Sequence, residues 1–240
     1  MISHYKRCIA RVAVLAVICA GLQSCSDEDE TDGVRLPVLY DVVEFTSQSR
    51  TGTVFTLWRP GADEPVSLTT DSPVIDASAV EPGESVFLAY TPLDGIAYTS
   101  GAVSVSNYGF VNNGVLQKSD SGVPEGWDAE PVYLISLWRA GGKVCMRLRM
   151  TYDTTPRLFA LVVDESTAGD KYPTAYLYHR RPDNVPNFSR QYYAAFDVSA
   201  LWATPGCKGL RVRVANSNIP SLDTFVIENP RPVAAEPSKD

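Results

Sequence analysis

Few residues in this chain have the type and spacing that chemistry demands. Two histidines occur, and only His179 lies beyond the basic N-terminal start, in Tyr176-Leu177-Tyr178-His179-Arg180. A lone strand histidine is far more often structural than catalytic, and no Ser-His-Asp arrangement follows from it. The sequence has no HExxH, CxxC, GxGxxG or P-loop. Asp164 and Glu165 are adjacent, so a strand would point them to opposite faces, which disfavours a carboxylate pair acting on one bond. Asp27, Asp29 and Asp32 lack the glycine and terminal glutamate of an EF-hand loop. Cys145 and Cys207 lack metal-finger spacing. We therefore expect no catalytic residue, no metal, no cofactor and no enzymatic activity.

Two constellations could instead bind. Arg147 and Arg149 share one strand face, and Arg211 and Arg213 share another. If both strands lay in one sheet, four guanidiniums would gather into an anion-binding patch, since arginine grips carboxylate, phosphate or sulfate bidentately. The bland alternative is a solvated face with local acidic partners. The second constellation is aromatic: Tyr176 and Tyr178 on one face, with Tyr192 and Tyr193 beyond a polar loop, as a platform for sugar rings. The competing reading makes these tyrosines core residues or the cover of a sandwich edge. Cys145 and Cys207 could form a disulfide in an oxidising exterior, or remain two separate thiols.

The N-terminus carries a different chemistry. His4, Lys6, Arg7 and Arg11 precede an apolar run, Val12–Leu22, too short to span a bilayer and of the length of a signal-peptide core. The run ends in Leu22-Gln23-Ser24-Cys25, which resembles a bacterial lipobox, with Cys25 the lipidated residue. Ser26, Asp27, Glu28, Asp29 and Glu30 follow, resembling the surface-export signal of Bacteroidetes lipoproteins. The expected location is the outer membrane, held by an N-terminal lipid and exposed at the cell surface. Nucleic acid is not an expected partner. The 240-residue chain carries a net charge of −7, and residues 25–240 carry −10. That charge is uneven: residues 25–32 carry −5, residues 33–126 carry −7 and residues 127–229 carry +2. Clustered cations suited to a phosphate backbone are missing.

The elements that must position these groups read as strands. Short β-rich runs alternate with Pro-Gly, Asp-Gly and Asn-Gly turns, and beyond the signal no continuous apolar stripe of helical length occurs. Val144, Met146, Leu148 and Met150 alternate with Lys143, Cys145, Arg147 and Arg149, the pattern of a half-buried strand. Leu158–Val163 is apolar on both faces and reads as central. Ser136-Leu137-Trp138-Arg139-Ala140-Gly141 echoes Thr56-Leu57-Trp58-Arg59-Pro60-Gly61, each a strand entering a turn. The expected division is a signal over 1–24, an acidic tether over 25–35, a first β domain over 36–126, a second over 127–229 and a flexible tail over 230–240. Lys118–Gly126 is the expected linker.

The strand-and-turn layout resembles the NigD-like lipoproteins of Bacteroidetes. The resemblance rests on Pro82–Pro92, Glu130–Tyr152, Leu158–Glu165, Ala175–Arg180 and Phe196-Asp197-Val198, behind the lipobox cysteine and its acidic tether. It implies an all-β chain, an N-terminal OB-like small barrel followed by a C-terminal antiparallel β-sandwich. It carries over no functional residues. The implied role is a binding or interaction module, related to bacteriocin immunity, with an unidentified protein or glycan as partner. A surface glycan-binding lipoprotein of a nutrient-uptake system and a fimbrial assembly subunit are the competing readings.

Overall fold

A computed structural model describes residues 37–120, 122–152, 157–180 and 188–234. The signal, Cys25, Ser26 to Glu30 and the rest of the tether lie outside the described residues, as do residues 235–240.

The first five strands close a barrel. They are β1 (Leu39–Ser49), β2 (Gly52–Leu57), β3 (Val66–Thr69), β4 (Ser85–Pro92) and β5 (Gly101–Phe110), in the order β1-β2-β3-β5-β4. The last pairing, β4 against β1, joins Leu39 to Tyr90 and Glu44 to Ser85. Period-two alternation sends Val43, Phe45, Phe55, Leu57, Leu68, Val86, Leu88, Tyr90 and Val103 inward. Each such side chain contributes roughly 1.5–3 kcal/mol by leaving water. Between β3 and β4, Ile75 and Val80 plug the barrel. Gln48 holds that segment, accepting from the backbone N–H groups of Val74 and Ile75 at 3.1 and 3.0 Å.

The remaining strands form two facing sheets. They are β6 (Asn112–Val115), β7 (Gln117–Ser119), β8 (Tyr133–Ala140), β9 (Lys143–Tyr152), β10 (Leu158–Asp164), β11 (Thr174–Arg180), β12 (Phe188–Asp197), β13 (Gly209–Arg213) and β14 (Thr224–Glu228). One sheet has the order β6-β12-β9-β8, the other β14-β13-β11-β10-β7. Val144, Met146, Leu148, Ala194 and Phe196 of the four-stranded sheet meet Phe159, Leu161, Val163, Leu177, Leu210 and Val212 of the five-stranded one. A four-residue helix, α1 (Ser199–Trp202), closes one end with Leu201 and Trp202.

The all-β architecture of barrel and sandwich is as expected, with three differences in detail. The sheets change over at Val111, not at residue 126: β6 pairs with β12 and β7 with β10, so Lys118 and Ser119 of the expected linker are strand residues. Both pairings are parallel, as is β11 with β13, so the sandwich is mixed and not purely antiparallel. The expected tail from residue 230 is still held at Val233, whose carbonyl accepts from Gly206 N at 2.9 Å.

Barrel and sandwich meet through side chains. Val42 and Phe87 from the outer barrel wall pack on Val111, Ala140, Cys145, Ala195, Trp138 and Tyr193. Lys143 bridges to Glu44 at 2.8 Å and donates to the Gly83 carbonyl. Asn113 accepts from Ser85 N at 2.8 Å and donates to its carbonyl at 3.0 Å. Arg139 reaches Asp63 at 3.1 Å.

Candidate functional site: an aromatic wedge between barrel and sheet

The four-stranded sheet runs out from beneath the barrel, and its strand alternation sets what is covered and what is open. The outer side of β9 presents Lys143, Cys145, Arg147 and Arg149 in turn. Opposite Cys145 stand Ala195 and Trp138; opposite Arg147 stand Tyr193 and Ser136. The Cys145 row is sealed under the barrel, and the Arg147 row lies where the seal ends. There a wedge of about 630 Å³ opens, within the size range of small-ligand sites. Tyr40, Trp58, Pro60 and Phe87 supply its barrel wall, and Ser136, Trp138, Arg147, Gln191 and Tyr193 its floor.

The rings form a ladder. Phe87 stacks on Tyr193 at 4.6 Å and 22°, and on Tyr40 at 6.1 Å and 17°. Tyr40 is 65% exposed, so one face of this ladder is open. Both members of the repeated Leu-Trp-Arg motif, Trp58 and Trp138, converge here, although the sequence showed only similar turns. Arg147 donates from Nε to Gln191 Oε1 at 2.9 Å and lies 6.0 Å from the Tyr193 ring centre. Farther out, the Arg149 guanidinium sits 4.0 Å over Tyr133. Asp41 borders the wedge between Tyr40 and Val42, with its side chain turned to the barrel side of β1. It accepts from Tyr90 Oη at 3.0 Å, and burial raises its carboxyl above the ordinary aspartate value. The phenolic group of Tyr193 is likewise raised by burial.

The four arginines do not converge. Arg147 and Arg149 lie on β9 and Arg211 and Arg213 on β13, which belong to different sheets whose outer faces point away from each other. Arg213 pairs with Asp223 at 3.1 Å and Arg211 donates to Thr174 Oγ1 at 3.2 Å, so the second pair has the local partners of an ordinary solvated face. The four tyrosines separate as well. Tyr176 and Tyr178 stack at 6.3 Å on the outer five-stranded face, where Trp127 packs against them. Tyr192 points into the sandwich core, and Tyr193, on the opposite side of the same strand, lines the wedge.

The cysteines stay unbridged. Cys145 is buried at the barrel junction and Cys207 in the sandwich core, on opposite sides of the four-stranded sheet. A disulfide would have to pass through that sheet. Burial pushes the Cys145 thiol up to about 12, which keeps it protonated and unreactive.

His179 is 1% exposed and sits beside Asp128 and Glu130, three groups with ligand atoms within 4.8 Å of one another. Its nitrogens are already committed. Arg157 Nη1, which can only donate, faces Nδ1 at 3.4 Å, so Nδ1 accepts and Nε2 donates to the Glu130 carbonyl at 3.2 Å. No ring lone pair remains for a metal. Burial, then the Arg157 charge, lowers the His179 pKa below its ordinary 6.5. Between that lowered value and 6.5 the unfolded chain binds more protons than the folded one. Stability should therefore fall as pH drops below about 6.5, by at most about 1.4 kcal/mol per pH unit. Urea melts at pH 7.5 and 5.5 should show this loss, and His179→Gln should reduce it. An unchanged pH slope in the variant would count against the assignment.

No family model matches the sequence, and no curated protein matches it. Solved structures do match the fold. A protein of unknown function from Bacteroides vulgatus has a TM-score of 0.59 at 14% identity, over 80% of this chain and 90% of that one. A candidate lipoprotein from Bacteroides fragilis has a TM-score of 0.56 at 9% identity, over 80% and 98%. A NigD-like immunity protein from Bacteroides caccae has a TM-score of 0.54 at 15% identity, over 79% and 91%. The chain thus shares its fold with a NigD-like immunity protein, as its sequence resemblance implied.

Proposed function

We propose that this chain is a lipid-anchored outer-membrane protein, displayed at the cell surface, that acts by binding and not by catalysis, and that the wedge is where it binds. The observation that carries the binding reading is the open aromatic ladder of Tyr40, Phe87 and Tyr193, assembled from two separate β units. Large rings left half-exposed in a concave site are costly unless something covers them. The lipobox-like Leu22–Cys25 run supports the anchor, and a candidate lipoprotein shares the fold. The shared fold with a NigD-like immunity protein favours an immunity role as a second reading.

Cys25→Ala should move the protein from the detergent-extracted membrane fraction to the soluble fraction; continued detergent-only extraction would contradict the anchor. The wedge is tested by hydrogen exchange with envelope fragments from cells lacking the protein. Slowed exchange in β8 and β12 is expected. Protection confined to the five-stranded sheet would move the binding site away from the wedge.

A further inference from the structure

We infer that the occupant of the wedge is an acidic oligosaccharide, a pyranose chain carrying carboxylate or sulfate groups. This rests on the reading of the wedge as a binding site and names its ligand class. The charge pattern carries it. The chain is acidic, with a net charge of −10 over residues 25–240, yet two arginines stand in line along β9 where the sheet leaves the barrel. Arg213, Arg139 and Lys143 each reach a carboxylate. Arg147 is tied to the neutral amide of Gln191, and Arg149 lies over the ring of Tyr133. Among the described residues, no ion pair joins either to a carboxylate. Among the described residues bordering the wedge the one acid is Asp41, whose carboxyl is turned to the core residue Tyr90, accepts from it and is pushed toward its neutral form by burial. Local positive charge therefore persists on a negative molecule.

The rings decide which anion. Tyr40 and Tyr193 lie close to parallel with Phe87, so the wedge offers flat walls. A pyranose has one apolar C–H face for such a wall and equatorial hydroxyls for Gln191, Ser136 and the tyrosine hydroxyls. Its carboxylate or sulfate would meet the Arg147 fork, whose Nε is already fixed by Gln191, so less freedom is lost on binding. The Arg149–Tyr133 pair repeats the same ring-and-guanidinium unit one row farther out, which suits a repeating acidic chain better than a single small anion. The acidic peptide is the competing occupant and is an outcome of the test.

The test is calorimetric titration of the soluble Cys25→Ala chain with four probes: an oligogalacturonate, a sulfated chondroitin oligosaccharide, a neutral galactan oligosaccharide and a poly-glutamate peptide. At least one acidic sugar should bind, more weakly as salt rises. Binding to the first probe alone assigns the carboxylate, and to the second alone the sulfate. Arg147→Gln should weaken it about tenfold or more, and Arg149→Gln to a lesser degree. Arg213→Gln, on the opposite sheet, should leave it unchanged. Equal binding of the neutral sugar, indifference to Arg147→Gln with unchanged melting, or binding of the peptide alone would each overturn the inference. If both acidic sugars fail while envelope fragments still protect β8 and β12, the ligand class is wrong and the wedge stands. If that protection fails too, the wedge itself is wrong.

Discussion

Phe196→Ala should cost the protein about 3–5 kcal/mol of unfolding free energy, the range for a truncated, fully buried aromatic. Phe196 has no exposed surface and stands in the middle of the sandwich core. It does a second job. A Cβ added at Gly114 would lie 3.2 Å from the Phe196 ring, so the ring packs directly on the glycine of β6. Truncation therefore empties the core and also removes the surface on which an edge strand lies. Urea denaturation followed by circular dichroism measures the cost. A loss below about 1 kcal/mol would mean that neighbouring side chains collapse into the space, and that the core is less rigidly packed than the interdigitated sheets imply.

Gly141→Ala should cost about 2–4 kcal/mol, from two separate causes. Gly141 turns the β8–β9 hairpin at φ +57°, a left-handed conformation that alanine adopts at about 1 kcal/mol. Its missing Cβ is also space that Trp58 uses: an added methyl would come within 2.7 Å of the indole. Overpacking at such a site costs typically about 1–3 kcal/mol. The two causes separate in a double-mutant cycle with Trp58→Ala. Removing the indole should relieve the steric share of Gly141→Ala and leave the backbone share. Strict additivity of the two substitutions would show that the barrel tryptophan does not rest on the hairpin. Because Trp58 also lines the wedge, the same pair links the turn of one β unit to the binding wall of the other.

The alternation of Val144, Met146 and Leu148 with Cys145, Arg147 and Arg149 was legible in the sequence because burial on one face enforces a period of two. β10 was legible for a different reason: with both faces covered it reads as an unbroken apolar run. β3, β6 and β7 were not. Their three or four residues carry too little pattern to stand out, and β7 contains Lys118 and Ser119, which read as linker. The hidden strands moved the domain boundary. The candidate site was half legible. Arg147 and Arg149 share a face as read, but whether β13 joins β9 in one sheet is a fact of topology that no local spacing encodes. Adjacent Tyr192 and Tyr193 had to point opposite ways once their strand was recognised. The wedge itself was out of reach, because Tyr40, Phe87, Trp138 and Tyr193 lie far apart in the chain and meet only through packing. The echo of Trp58 in Trp138 was the one available hint, and it gave no sign that the two rings would share a site.

The chain leaving the barrel gives one strand to each face of the sandwich, β6 to one sheet and β7 to the other, with Leu116 between them. Both are edge strands, and both pair in parallel with segments made much later, β12 and β10. A polypeptide exported from its N-terminus would have every barrel strand in hand by Phe110. It would then hold β7 unpaired until β10 had emerged and β6 unpaired longer still, until β12 had. Such late, non-local closure is slow, because a long loop must be ordered before the pairing rewards it. Unpaired edges also invite wrong partners in the meantime. For a chain exported as proposed, the vulnerable interval falls between the emergence of β6 and that of β12, and agents that shield exposed strand edges would act there.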